Sequence, residues 1–138
     1  MHYSYEVEVT PSDTVDDPVV YPIVLATGIL RRVRIFFPYG CVNSVRCCLY
    51  DRSLQILPTN QDGYYALDGD SVDADVYYNL DDNDHFLYLV AWSMGTDYDH
   101  SLSVHLDVQG PEEPDANKVM VLLNETLGRL IDLCRSLI

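Results

Sequence analysis

Apolar and polar residues alternate along much of this chain. In residues 3–10 every odd position is apolar and every even position is polar, as in a strand with one buried and one solvated face. The same period of two recurs over residues 101–108, and shorter runs between turn residues predict further strands. The predicted strands are 3–10, 19–27, 29–37, 45–50, 53–57, 72–80, 86–92 and 101–108.

Three of these strands carry more specific expectations. Pro22 lies inside its strand, which predicts a sheet edge or a bulge because proline cannot donate to a ladder. Residues 86–92 are almost continuously apolar, which predicts a central strand buried on both faces. In residues 29–37, strict alternation predicts that Ile29, Val33, Ile35 and Phe37 share a face with Arg31, opposite Leu30, Arg32, Arg34 and Phe36.

Many short strands separated by short polar turns indicate an all-β domain. We therefore predict an eight-stranded antiparallel β-sandwich, jelly-roll-like in size, followed by one C-terminal α-helix. Periodicity does not separate a jelly-roll strand order from an immunoglobulin-like one, so the order stays open at this point.

The chain changes character after the last predicted strand. Gly110-Pro111-Glu112-Glu113-Pro114 is a stiff acidic stretch that continues neither a strand nor a helix. Beyond it, apolar residues recur at steps of three and four, which predicts a helix. The predicted organisation is a β-sandwich domain at 1–109, a linker at 110–115 and an amphipathic helix at 116–138.

The predicted helix has an apolar seam that needs a partner. It can pack on its own sandwich or against other subunits, and the seam spacing together with the separating linker favours other subunits. We therefore predict a homo-oligomer, with a trimer favoured. The predicted oligomerisation residues are Met120, Leu123, Leu127, Leu130, Cys134 and Leu137.

The charge balance excludes several classes of function. The formal net charge is -14, from 22 acids and 8 bases, and Lys118 is the only lysine. Such a surface repels phosphate backbones and anionic lipids, so we expect neither nucleic-acid nor membrane binding. No signal peptide is evident at the N-terminus, so we expect the protein to be made and kept in the cytosol, or assembled there into something larger. An excess of aspartate with almost no lysine is also typical of a halophilic protein.

Aspartates are concentrated in residues 66–85, which contain seven of them and no lysine or arginine. Asp68, Asp70, Asp73 and Asp75 form a candidate weak site for Ca²⁺ or Na⁺, which prefer oxygen ligands. Their spacing does not match an EF-hand loop, and a solvated surface is the favoured interpretation. We therefore predict no firm metal site and no cofactor.

No catalytic constellation is evident in the sequence. No serine or cysteine lies in a nucleophile motif, and the four cysteines lack a zinc-binding spacing. Cys47 and Cys48 are most simply small buried hydrophobes. We therefore expect the protein not to be an enzyme and predict no catalytic residue.

Five short stretches of the chain combine turn and core residues of the predicted sandwich. They are residues 32–41, 55–63, 77–80, 87–92 and 97–100. In these stretches the chain is similar to small β-sandwich proteins encoded among virion structural genes of tailed viruses of archaea and bacteria. The similarity spans residues 3–108 and leaves out the helix. It implies a virion structural protein, such as a capsid decoration, turret or minor capsid protein, located in the virion with other capsid proteins as partners.

The alternative is a β-sandwich module that binds carbohydrate or a cell surface. Aromatic rings stack on sugars, and the candidate residues for such stacking are Tyr64, Tyr65, Tyr77, Tyr78, Trp92 and Tyr98. Tyrosine in a strand is more often a half-buried sheet residue, so this function ranks second.

Overall fold

The structure is a computed structural model that describes residues 1–81, 85–110 and 116–136. These residues form eight strands and one helix. The strands are β1 (His2–Val9), β2 (Val19–Leu25), β3 (Gly28–Phe37), β4 (Val45–Asp51), β5 (Leu54–Leu57), β6 (Asp70–Leu80), β7 (His85–Ser93) and β8 (His100–Gln109). The helix is α1 (Ala116–Ser136).

The strands form two four-stranded antiparallel sheets. The first sheet has the order β1-β8-β3-β6 and the second has the order β2-β7-β4-β5. The pairing is nested, because β1 pairs with β8, β2 with β7, β3 with β6 and β4 with β5. A ribbon of four nested strand pairs rolled into two sheets is a jelly roll. The predicted all-β sandwich with one C-terminal helix is confirmed, and the nested order excludes the immunoglobulin-like alternative.

The core lies between the inner faces of the two sheets. Alternate residues of each strand point inward, as the period of two predicts. Phe37 is the largest side chain that is completely buried. The first sheet contributes Val7, Val9, Leu30, Val33, Ile35, Phe37, Leu80, Leu102, Val104, Leu106 and Val108, and the second contributes Ile23, Leu25, Val45, Cys47, Leu49, Leu57, Leu87, Leu89 and Ala91.

A β-bulge in β3 corrects the predicted faces at the start of that strand. The register with both neighbouring strands shifts between Leu30 and Arg32. The extra residue, Arg31, is exposed, and Leu30 is completely buried together with Val33. The prediction that Ile29 and Arg31 share a face with Val33, opposite Leu30, was therefore wrong, because a bulge changes the phase of the alternation.

Two predictions concerned strands of the second sheet: an edge or bulge at Pro22, and burial of residues 86–92 on both faces. Pro22 lies in β2, which is an edge strand, as predicted. β7 is a central strand, but its side chains alternate between buried and partly exposed, and Phe86 is 46% exposed. The prediction that this strand is buried on both faces was therefore wrong, because no layer of the described residues covers the outer face at Phe86.

The C-terminal helix runs from Ala116 to Ser136. The predicted linker residues 111–115 and the last two residues of the predicted helix lie outside the described part of the chain. No helix in the described residues is both long and apolar enough to span a membrane.

The bulge predicts a clear difference between two neighbouring substitutions. Leu30→Ala should lower the free energy of unfolding by about 2–5 kcal/mol, because it leaves a cavity in a closed core. Ile29→Ala, at a partly exposed position, should cost clearly less. Urea denaturation of both variants measures the difference, and equal losses would contradict the bulged register.

Candidate functional site

The outer face of the first sheet is polar and built from cross-strand pairs of opposite charge. Arg32 lies opposite Asp75 on β6 and Asp107 on β8. Arg34 lies opposite Asp73 and His105 in the same way. Opposite charges at such positions attract across a sheet. Each arginine is therefore surrounded by acidic or imidazole groups of the same sheet.

Hydrogen bonds tighten this polar face. Both Nε and Nη2 of Arg32 donate to the carboxylate of Asp73. This bond and the arginine charge lower the pKa of Asp73. His2 Nδ1 lies 2.6 Å from Asp107 Oδ1, and His2 Nε2 lies 3.3 Å from His105 Nδ1. A shallow cavity of about 160 Å³ lies among these groups.

The four aspartates of the candidate cation site have separate surroundings. Asp68 accepts a hydrogen bond from the backbone N–H of Gly40 at 2.9 Å, and Asp73 is paired with Arg32. Asp70 begins β6, and its carboxylate accepts from the next backbone N–H at 2.7 Å. Asp75 is exposed on the polar face. Among the described residues, no three acidic, histidine or cysteine side chains form a group that could hold a metal ion. Weak cation binding by part of the set stays a prediction.

The outer face of the second sheet is apolar, in contrast to the first. Cross-strand neighbours on this face include Val20 opposite Val90 and Val24 opposite Phe86. Val20 is 55% exposed, and Val24 and Phe86 are also open to solvent. We call this surface the apolar sheet face. It consists of Val20, Pro22 and Val24 from β2, Phe86, Tyr88, Val90 and Trp92 from β7, and Cys48 and Tyr50 from β4.

An aromatic cluster lies at one end of the apolar sheet face. The rings of Tyr64 and Trp92 meet edge to face with their centroids 6.1 Å apart. The guanidinium of Arg46 lies 4.3 Å from the centroid of Tyr64. A cation over an aromatic face adds electrostatic attraction to the packing. The three side chains therefore form one ordered aromatic and cationic corner.

The other tyrosines predicted for sugar stacking do not join this corner. Tyr65 packs against the core, and its backbone pairs with Cys47. Tyr77 is exposed beside Arg31, and Tyr98 is exposed in the turn before β8. Tyr78 points into the sandwich. The structure thus brings together Tyr64 and Trp92 and separates the rest.

A buried polar cluster closes one end of the core. His85 Nε2 lies 3.0 Å from Asp51 Oδ2, and the hydroxyl of Tyr78 donates to the same oxygen. Burial, and then the bond to Asp51, raise the pKa of Tyr78 to about 12. The three residues come from β4, β6 and β7, so no short sequence motif marks them. The hydrogen bond from Tyr78 on β6 to Asp51 on β4 joins the two sheets.

Gln55 is a second buried polar residue that the sequence does not reveal. Its side-chain amide donates to the backbone carbonyls of Pro58, Asn60 and Gly63. The amide oxygen accepts from the hydroxyl of Tyr50 at 3.1 Å. Gln55 therefore holds the loop after β5 against the sheet. One of its hydrogen bonds positions Gly63, the residue directly before Tyr64.

The predicted oligomerisation residues lie on an uncovered helix surface. Every side chain of α1 that the structure describes, at residues 123–132, 134 and 135, is exposed. We call the apolar part of this surface the helix stripe, which consists of Leu123, Leu127, Leu130, Ile131 and Cys134. Its leucines and isoleucine are 52–56% exposed. The side chains of the predicted residues Met120 and Leu137 lie outside the described residues.

The cysteines fall into two groups. Cys41, Cys47 and Cys48 are buried, and Cys134 is exposed on the helix stripe. Burial raises the pKa of the Cys41 and Cys48 thiols to about 11. The three buried thiols are therefore protonated at neutral pH and unreactive. They pack as small hydrophobic side chains, as predicted for Cys47 and Cys48.

Comparison with known proteins adds no relative from which a site could be transferred. The sequence matches no protein-family model and no curated protein. The surfaces described above therefore carry the functional argument on their own.

The acidic surface predicts that salt stabilises the fold. At a formal net charge of -14, screening of carboxylate repulsion should raise the melting temperature by several degrees between low and molar NaCl. Differential scanning calorimetry measures the shift. Millimolar CaCl₂ at constant ionic strength separates screening from binding, because a calcium site would raise the melting temperature further. A melting temperature that is independent of salt would contradict the prediction.

Proposed function

We propose that this protein is a non-enzymatic structural protein that self-associates through its C-terminal helix. The observation that carries the proposal is the uncovered helix stripe. Leu123, Leu127 and Leu130 face solvent on one side of α1. A helix with such an apolar face is stable in water only when a partner covers it.

The energetics favour an assembly with an extended apolar contact. Burying a leucine-sized side chain from full exposure stabilises by about 1.5–3 kcal/mol. Because the four aliphatic residues of the helix stripe are about half exposed, their burial contributes about 3–6 kcal/mol per stripe. Association costs about 4–15 kcal/mol. The stripe therefore needs a partner surface that is apolar itself.

We propose a closed ring of copies, with three-fold symmetry as the first choice. Closed point groups are the usual outcome of self-association, because an open arrangement would grow into a filament. A strongly negative body also keeps separate rings apart through like-charge repulsion.

The proposed setting is a virion, where the ring would decorate or complete a capsid beside other capsid proteins. The support for this setting is the resemblance of residues 32–41, 55–63, 77–80, 87–92 and 97–100 to virion proteins. The jelly-roll order is compatible with it, because many capsid proteins are jelly rolls. Lectins share the fold, so the fold by itself does not choose between the two functions.

The polar clusters have structural roles that support a non-enzymatic function. The Tyr78 hydroxyl donates to Asp51 between the sheets, and His85 lies beside the same carboxylate. Arg32 and Asp73 bind one another on the outer face of the first sheet. Each cluster stabilises the packing of strands.

The double variant Leu123→Asp/Leu130→Asp tests self-association. It should leave the sandwich folded and release monomers of about 15.7 kDa, because burying the two new carboxylates costs more than the contact provides. Light scattering after size-exclusion chromatography measures the mass, and far-UV circular dichroism follows the strands.

The matched control is Arg129→Asp, which changes the charge by the same two units on the opposite side of the helix and should leave the oligomer intact. A wild-type protein that is monomeric at all concentrations, or a stripe variant that keeps the wild-type mass, would overturn the proposal.

A second function, carbohydrate binding, is favoured by one observation, the ordered corner of Tyr64, Trp92 and Arg46. If it binds sugars, Trp92→Ala should abolish glycan-array signals, and Tyr77→Ala, at an exposed tyrosine on the first sheet, should leave them unchanged. Absence of any glycan signal from the wild-type protein would exclude this alternative.

A further inference from the structure

We propose that the apolar sheet face is the receptor for the helix stripe of a second copy of this chain. The proposal rests on the proposed self-association and names the surface that receives the helix. The single chain leaves both surfaces uncovered: Val24 and Phe86 on the sheet are exposed, and so is Leu127 on the helix. Each surface thus has the chemistry that the other requires.

The first sheet does not offer a comparable surface. Its outer face carries Arg32, Arg34, Asp73 and Asp75 in paired positions. Covering these groups with leucines would remove water from charges and gain no hydrogen bonds. The asymmetry between the two sheets therefore selects the second sheet as the receptor.

The two surfaces also match in size. On β7 the apolar sheet face runs from Phe86 to Trp92, about 20 Å along the strand. The helix stripe runs from Leu123 to Cys134, about 17 Å along the helix. Four strands span about 14 Å from first to last, and a helix with side chains is about 10 Å wide. One helix therefore covers most of the apolar sheet face and leaves little room for a second.

The charge distribution also favours contact through the helix. Residues 116–138 contain three bases and two acids, whereas residues 1–109 contain 17 acids and five bases. The nearly neutral helix therefore approaches the strongly negative sandwich of another copy with little repulsion. Two sandwich bodies repel one another, so this arrangement favours contact through the helix.

The contact of a helix with a sheet face is heterologous, because the two surfaces belong to different parts of the chain. A heterologous contact that closes produces a ring in which every copy donates one helix and receives one. A ring of this kind has one helix–sheet contact at each interface. It differs from a central bundle, in which helices contact one another.

Directed disulfide formation tests the contact, because Cys134 is the exposed native cysteine. One protein carries Cys134→Ser with a new cysteine on the sheet, either Val20→Cys or Val24→Cys. These positions are four residues apart along β2, so both directions of the helix are tested. This variant, which has a sheet cysteine and lacks Cys134, is mixed with isotopically labelled wild-type protein under mild oxidation. Peptide mass spectrometry then identifies the linked cysteines.

The matched control is Phe36→Cys with Cys134→Ser, because Phe36 and Val24 are both 39% exposed but lie on different sheets. We expect linkage of Cys134 in one copy to residue 20 or 24 in the other, at least tenfold more than to residue 36. Linkage only between two Cys134 residues would show helix–helix association. That result overturns this inference and leaves the proposed function standing.

Two further outcomes also overturn the inference. A chain with Val20→Cys or Val24→Cys and its native Cys134 can form an internal disulfide, which would show that the helix docks on its own sandwich. Equal linkage to residues 24 and 36 would show random collision. If no species above the monomer forms and light scattering also finds a monomer, the proposed function fails as well.

Trp92 provides a second readout that needs no new cysteine. It is the only tryptophan in the chain and lies on the apolar sheet face. Concentrating the wild-type protein should shift its emission to shorter wavelength as the helix excludes water, and Leu123→Asp/Leu130→Asp should abolish the shift. Oligomerisation without any change in Trp92 emission would contradict docking on this face.

Discussion

The burial of two apolar inner faces against each other is the interaction on which the rest of the structure depends. Each strand offers one apolar face, and only a second sheet can remove it from water. The nested pairing of β1 with β8, and so on to β4 with β5, brings distant parts of the chain into these sheets. Because the inner faces use the alternate residues of every strand, the remaining residues are forced outward and form the surfaces that interact with the environment.

Two outer faces of opposite character follow from this arrangement. The first sheet displays charged pairs such as Arg32 with Asp73, which are compatible with water. The second sheet displays Val20, Val24 and Phe86, which are not. A monomer that exposes such a face together with an apolar helix surface has two unfavourable contacts with water. Self-association removes both at once, and this is the physical reason for the proposed assembly.

The acidic surface limits how such an assembly can form. Repulsion between sandwich bodies opposes contacts that bring two first sheets together. The helix is nearly neutral, with three bases and two acids in residues 116–138, and the residues of the apolar sheet face named above include no carboxylate. Association through these two elements therefore avoids most of the repulsion, and salt should strengthen it by screening what remains.

The sequence by itself determined the strands, the sandwich and the helix, because periods of two and of three to four residues report directly which positions face an apolar environment. It also determined the exposure of Asp73 and Asp75, which alternate with inward-facing Val72 and Val76. Tertiary structure decided the nested strand order, the bulge at Arg31 and the exposure of one face of β7 to solvent. These features depend on which strands become neighbours, and local patterns carry no information about distant partners. The same holds for the cluster of Asp51, Tyr78 and His85 and for the corner of Tyr64 and Trp92, whose members are far apart in sequence and meet only when the two sheets close.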